Sequence, residues 1–258
     1  MSLGPRHPAG VPAAPGRAVV LAAGAGSRLS GIAPVKPLVP VGGRPLLLRV
    51  LDSLAAVGIV EAVVVTGHAE AAVQAALAEA PLRLRFVHNP DWETGANGRS
   101  LAAAAPHVAP DTLLVMGDHL VAPPILAALL AAEPAPLLLA VDRRLGHPWV
   151  DEADVTRVRT WGGGRGSGRA GHPGGGAAPR PIAAIGKGLL VYDGYDTGCF
   201  RIGPELVDEV LACPAISLSE AVAALAARGL AFAVDAPAAA WLDVDDARAL
   251  ALAEAACA

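Results

Sequence analysis

The chain is 258 residues long, 53% hydrophobic and carries a formal net charge of −4. It is long enough for one large α/β domain or two small ones, and its charge gives no basic footprint for nucleic acid. The mean hydropathy of +0.47 raises the question of a membrane span. The most apolar region, Leu120 to Val141, is however broken by Pro123, Pro124, Glu133, Pro134 and Pro136, so it reads as a buried helix followed by a buried strand.

Residues 1–17 lack the apolar run of a secretory signal and read as a flexible arm. The run Ala18 to Ala23, "AVVLAA", is short, almost wholly apolar and ends at glycine, the pattern of a buried parallel strand. "PLLLRVLDSLAAVG" has helical spacing and a glycine stop, "EAVVVTG" is a second buried strand, and "AEAAVQAALAEA" is a helix. "LRLRFVHN" is a third strand, "GRSLAAAAPHV" a short helix, and "DTLLVMGDH" a fourth strand ending in polar residues. Strands alternating with helices predict a mainly parallel sheet covered on both faces.

Further along, "DVTRVRTW" and "PIAAIGKGLLVYDGYDTGCF" read as strands, followed by helices in "GPELVDEVLA" and "SLSEAVAALAARG". The glycine-rich stretch at about 162–180 cannot bury enough apolar surface to order itself, and is read as a mobile hairpin tip or insertion. Cys199, Cys213 and Cys257 show no C-x-x-C spacing, which argues for a reducing, cytoplasmic setting and against a disulfide framework or zinc site.

In doubly wound sheets ligands sit at the carboxyl ends of the strands. The loop after the first strand, "GAGSRL", lacks the third glycine of a dinucleotide fingerprint and the G-K-[ST] of a P-loop. It remains a tight glycine turn whose bare N–H groups can approach an anion, with Arg28 as a planar fork for phosphate oxygens and Lys36 as a mobile charge. Asp118, set one small residue, Gly117, beyond "LLVM", suits a Mg²⁺ ion that also touches substrate phosphates, although a helix cap is the plainer role for a lone Asp. In "WLDVDDARAL", Asp246 or Asp245 suits the cap of the next helix, leaving Asp243 free to join Asp118. His119 reads as a structural histidine. Lys187 reads as a buried-strand lysine that needs an anion, or else as a lysine on an exposed edge.

"LAAGAGSRL" followed by "KPLVPVGGRPLL" resembles the signature of the sugar-phosphate nucleotidyltransferases. "NGRSL", "LLVMGDH", "AVDRR", "IGKGL", "YDGYDTGCF", "SLSEAV" and "WLDVDDARAL" then stand in the order seen in inositol-1-phosphate cytidylyltransferases, which make CDP-inositol from CTP. The resemblance implies a Rossmann-like, mixed but mainly parallel α/β sheet of the nucleotidyltransferase (GT-A-like) kind, over a single domain spanning 18–258. It implies that Leu21, Ala22, Ala23, Gly24, Ala25, Gly26 and Ser27 hold the nucleotide, with Arg28 on its phosphates and Lys36 at the reacting centre. Asn97, Gly98 and Ser100 would lie by the base, and Asp118 and Asp243 would carry Mg²⁺. Lys187 would grip the acceptor phosphate, with Asp196 and Glu220 near its hydroxyls. The pattern departs from the family where Val35 separates Pro34 from Lys36, where Arg99 replaces an aromatic residue, and in the glycine-rich insertion.

The reaction so implied is attack of an acceptor phosphate oxygen on the α-phosphorus of CTP, with pyrophosphate leaving in line. Such chemistry needs alignment and charge neutralisation rather than a covalent enzyme intermediate. The expected partners are CTP and a phosphorylated polyol, with a homodimer left open. Two alternatives stand beside this reading: a phosphocholine, phosphonate or other sugar-phosphate acceptor, and a non-catalytic nucleotide-sensing subunit. A quaternary ammonium acceptor wants an aromatic cage, which 3% aromatic residues make hard to build.

Overall fold

Strand β1 (Arg17–Leu21) is buried on both faces, because its odd and even side chains enter different cores. The computed structural model describes residues 16–26, 35–93, 96–162, 178–213 and 215–257. Most of the expected N-terminal arm, Ser27, Arg28 and the bulk of the glycine-rich stretch lie outside the described residues.

After β1 come a small hairpin, β2 (Pro40–Val41) with β3 (Arg44–Pro45), and then α1 (Leu46–Ala56), β4 (Glu61–Thr66), α2 (Glu70–Ala76) and β5 (Arg83–His88). Helix α3 (Asn97–Ala104) leads to β6 (Thr112–Met116), the short β7 (His119–Val121), α4 (Pro123–Ala131) and β8 (Leu137–Asp142). The Leu120–Val141 region is therefore largely helix then strand, as its interrupted hydropathy predicts. The remainder is β9 (Arg157–Thr160), β10 (Arg180–Gly186), β11 (Gly194–Ile202), α5 (Pro204–Ala212), α6 (Leu218–Ala227), β12 (Ala231–Asp235), β13 (Trp241–Asp243) and α7 (Ala247–Cys257).

The principal sheet has nine strands in the order β5-β4-β1-β6-β11-β8-β12-β10-β9. Its first four run parallel. Strand β11 then lies antiparallel between β6 and β8, while β12 returns parallel to β8. The sheet is thus more mixed than strand–helix alternation suggests. Being antiparallel, β11 begins where the parallel strands end, so Tyr195 and Asp196 join their carboxyl edge. Strand β9 pairs with both β10 and β11, which folds the far side of the sheet back towards that edge.

Helices cover both faces. Ala18, Val20 and Ala22 pack with Leu47, Leu51 and Leu54 of α1 and with Ile125, Leu126 and Leu129 of α4. Val19, Leu21 and Ala23 pack with Leu101 of α3, Leu206 and Val210 of α5 and Val222 of α6. A third, smaller core joins Val39, Val41 and Leu46 to Leu120, Leu242, Val244 and Ala249, seating α7 and the β7–β13 pair on the main domain. Each fully buried leucine here is worth about 2–5 kcal/mol against alanine.

Candidate active site

The site grows from the carboxyl edge of β1 and β6. Gly117 N donates to Leu21 O at 2.8 Å, which holds the Asp118 turn beside the loop that leaves β1. The reading of "DTLLVMGDH" as one strand is corrected here: the strand stops at Met116, turns through Gly117 and Asp118, and a separate β7 starts at His119. That break makes the site, because β7 pairs with β13 and sets His119 opposite Asp243. Two carboxylates far apart in sequence are thereby brought to one place. Asp246 accepts from Ala249 N at 2.7 Å and caps α7, leaving Asp243 to the site as expected.

Lys36 is not the mobile charge its sequence context suggests. It is buried, and its Nζ donates to Asp118 Oδ2 at 2.8 Å and to Asp243 Oδ1 at 2.9 Å. Its stem lies on Gly26, whose φ is +63° and where a Cβ would stand 2.2 Å from Lys36 Cβ. Burial alone would lower the lysine's pKa, but the two carboxylates raise it above its ordinary value, so it stays charged.

The other oxygens of the pair face His119: its Nε2 is 3.7 Å from Asp118 Oδ1 and 3.7 Å from Asp243 Oδ2. Burial works against the imidazolium, yet Asp243 and Asp118 push His119 up to about 9. Burial likewise opposes the charged form of Asp243, but His119 and Lys36 hold it well below the usual carboxylate range. Asp118 Oδ1 is buried and has no hydrogen-bond partner among the described residues. Asp118, His119 and Asp243 offer ligand atoms within 4.8 Å of one another. An orphaned carboxylate oxygen beside a second carboxylate and an imidazole fits a divalent cation.

Asp118, His119 and Asp243 line a cavity of about 530 Å³ together with Asn97, Lys187, Asp196 and Glu220. Six of the expected site residues, Asn97, Asp118, Lys187, Asp196, Glu220 and Asp243, thus border one space. Burial pushes the Asp196 carboxyl up to about 6, against the opposing pull of the Gly198 N–H and His119. None of Leu21, Ala22, Ala23, Gly24, Ala25 and Gly26 lines this cavity; Leu21 O accepts from Gly117 N, beside Asp118, and Gly26 carries the stem of Lys36.

Several expectations change in detail. Lys187 is not a buried-strand lysine: it falls in the turn after β10, its side chain is 60% exposed, and it pairs with Asp154. Glu220 is engaged in a capping box, its Oε2 accepting from Ser217 N at 2.8 Å and from Ser217 Oγ at 2.7 Å. Its S-x-x-E spacing was visible in "SLSE". Asn97 Oδ1 accepts from Leu218 N at 2.8 Å, tying α3 to α6 at the cavity wall. Ser100 is buried and accepts from Asn89, while a Cβ on Gly98 would meet Ile216 O at 2.1 Å; both are placed by packing and neither lines the cavity.

The sequence did not reveal Trp149, Asp151 and Asp154, which also line the cavity, nor the part taken by Trp241. The loop bearing the first three is held by Glu152, which accepts from the Tyr195 and Tyr192 hydroxyls and from Arg157, and by Gly146 N donating to Tyr195 at 2.9 Å. Asp142 accepts from Trp241 Nε1 at 2.7 Å and fixes that ring. Overall aromatic content is therefore a poor guide, since Trp149 and Trp241 both line this cavity.

A mixed α/β sheet with a lysine–dicarboxylate cluster at its carboxyl edge, beside a glycine loop, defines a nucleotidyltransferase-type domain. Residues 18–171 match the MobA-like NTP transferase domain, and the chain belongs to that family. It is 35% identical over 242 residues to a bifunctional IPC transferase and DIPP synthase of Rubrobacter xylanophilus, covering 92% of this chain and 51% of that protein. It is 44% identical over 133 residues to a CMP-5'-(3-aminopropyl)phosphonate synthase of Streptomyces rubellomurinus, covering 50% of this chain and 21% of that protein. The chain thus spans about half the length of the first relative and less of the second. The inositol-1-phosphate CTP transferase of T. maritima superposes with a TM-score of 0.79 at 22% identity, covering 95% of this chain and 96% of that one, a likeness of fold. Among the described residues no helix is long and apolar enough to cross a membrane.

Proposed function

We propose that residues 18–258 form one catalytic domain that transfers CMP from CTP to inositol 1-phosphate and releases pyrophosphate. The observation that carries this reading is buried Lys36 paired to Asp118 and Asp243, two carboxylates that line a cavity with further acidic residues. The Rubrobacter relative, named an IPC transferase and aligned with 92% of this chain, supports it.

In this reading the loop Leu21 to Ser27 receives the triphosphate on its backbone N–H groups, and Arg28 pairs with phosphate oxygens. Lys36 neutralises charge building at the α-phosphoryl group. Asn97 stands on the base side, while Gly98 and Ser100 serve it only through the packing that places α3. Asp118 and Asp243 would hold Mg²⁺, which when bound supplies Lewis-acid stabilisation of the phosphates. Lys187 leaves Asp154 for the acceptor phosphate, while Asp196 and Glu220 accept from acceptor hydroxyls. The three cysteines are free thiols, in keeping with a cytoplasmic enzyme.

A second acceptor class is favoured by a particular feature. Trp149 and Trp241 stand in the same cavity as Asp151, Asp154 and Asp245, an environment suited to a cationic amine at the far end of a phosphonate. The Streptomyces relative bears the name of such a synthase. Incubation with CTP, Mg²⁺ and inositol 1-phosphate, followed by phosphorus NMR, tests the proposal. Coupled resonances of a new diphosphate diester with pyrophosphate support it; release of CMP alone, or no turnover, contradicts it.

A further inference from the structure

We propose that His119 is a third, nitrogen ligand of the divalent cation, giving the site a preference for Mn²⁺ and Co²⁺ over Mg²⁺. The inference rests on the reading that Asp118 and Asp243 hold a cation, and adds to it a ligand that the sequence had assigned to structure.

Geometry divides the four carboxylate oxygens into two pairs. Lys36 occupies Asp118 Oδ2 and Asp243 Oδ1. The remaining two, Asp118 Oδ1 and Asp243 Oδ2, each lie 3.7 Å from His119 Nε2. A cation held by these three atoms would displace the Nε2 proton to solvent and leave both lysine contacts in place, so the lysine and the metal would not compete for the same oxygens. Asp118 Oδ1 is buried and otherwise unpartnered.

Independent support lies on the other side of the ring. His119 Nδ1 is 3.1 Å from Thr197 O. A carbonyl oxygen only accepts, so Nδ1 carries the hydrogen and donates. A ligating histidine characteristically donates its second ring N–H to a carbonyl or carboxylate, which fixes the ring and aims the free nitrogen at the metal. Strand β11 is built to provide this contact: its pairing with β8 is irregular between Asp196 and Phe200, at the segment that carries Thr197 and Gly198. Gly198, at φ +71°, leaves the space the ring fills, since a Cβ there would lie 2.6 Å from His119 Cε1 and Nδ1. Trp241 stands on another side, its ring centroid 6.5 Å from that of His119. The imidazole is therefore fixed by groups outside the cluster with Nε2 directed at the two oxygens.

Mg²⁺ favours all-oxygen shells and keeps its waters, whereas an imidazole ligand favours later first-row ions. A mixed N/O set should therefore bind Mn²⁺ and Co²⁺ more tightly than Mg²⁺ and lose that advantage with the nitrogen.

The test is pulsed EPR of Mn²⁺ added to the purified chain, alone and with CTP, alongside Kd measurements for Mn²⁺ and Mg²⁺. We expect the nitrogen modulation of a directly bound imidazole in the wild type and its absence in both His119→Gln and His119→Ala. The Mn²⁺ Kd should rise about 10–100-fold in these variants, and that of Mg²⁺ by about threefold or less. Mn²⁺ bound without nitrogen modulation but lost in Asp118→Asn overturns the role of His119 and leaves the proposed transferase standing. Modulation that persists in both His119 variants overturns it too. Failure of the wild type to bind Mn²⁺ under either condition overturns this inference together with the two-carboxylate metal site.

Discussion

The stem of Lys36 rests on Gly26 so closely that a Cβ at residue 26 would lie 2.2 Å from Lys36 Cβ and 2.8 Å from its Cδ. The glycine loop and the lysine are therefore one unit, and the glycine sets where the charge sits. Gly26→Ala meets both a positive φ and this contact. It should cost about 1–3 kcal/mol of stability and lower kcat at least about tenfold by displacing Nζ from the carboxylates. Thermal unfolding and steady-state kinetics check both; unchanged kcat would mean that the loop does not set the lysine's position.

Lys36→Ala should lower kcat far more than it raises KM for CTP, because charge at the α-phosphoryl group grows as the bond is made. The variant also leaves Asp118 and Asp243 without their shared cation, so its melting temperature should fall. A rise in KM with kcat preserved would make Lys36 a ground-state contact only.

Asp118→Ala and Asp243→Ala should each reduce turnover by orders of magnitude while the far-ultraviolet circular dichroism stays that of the wild type. EDTA should silence the wild type, and added Mg²⁺ or Mn²⁺ should restore it. Near-normal turnover in either variant would remove the two-carboxylate site.

Asp196 carries a prediction with opposite signs for stability and function. Its folded pKa of about 6 lies above the ordinary value, so the folded chain holds this proton more tightly than the unfolded chain. The resulting stabilisation is complete below about pH 4 and is lost as the pH rises through about 6. Asp196→Asn should therefore be more stable than wild type at about pH 8, by roughly 1 kcal/mol after allowance for partial exposure. Its KM for the acceptor should nevertheless rise, because an amide accepts fewer hydroxyl bonds. In the wild type the acceptor KM should climb below about pH 6 more steeply than in the variant, where only the acceptor phosphate still titrates. Identical pH profiles would remove Asp196 from the acceptor site.

What could be read in the sequence was local. The run "AVVLAA" declared a strand buried on both faces, and the acids of "WLDVDDARAL" separated into a cap at Asp246 or Asp245, which the structure places at Asp246, and Asp243 for the site. What could not be read depended on pairing across long stretches of chain. No local pattern says that β11 enters between β6 and β8, or that β13 sets Asp243 opposite His119. Of the two readings open for Lys187, a buried strand or an exposed edge, the structure supports exposure, because the strand before it stops at Gly186. His119 was set aside because a lone histidine after an aspartate has no signature; its significance comes from Thr197 and Gly198 on a distant strand. The Trp149 wall was missed because its loop is held by Glu152 and Tyr195, a contact between residues 43 positions apart.

The most direct test of the central claim is a matrix of CTP, UTP, dTTP, ATP and GTP against inositol monophosphates, glucose 1-phosphate, phosphocholine and an aminoalkylphosphonate, with pyrophosphate release as the signal. CTP with a myo-inositol monophosphate should give the highest kcat/KM. Phosphocholine should be poor, because a site lined with hydroxyl acceptors such as Asp196 discriminates strongly against acceptors that cannot pair with them. Highest kcat/KM with phosphocholine or the aminoalkylphosphonate would contradict the polyol assignment, and a preference for UTP or dTTP would contradict cytidylyl transfer.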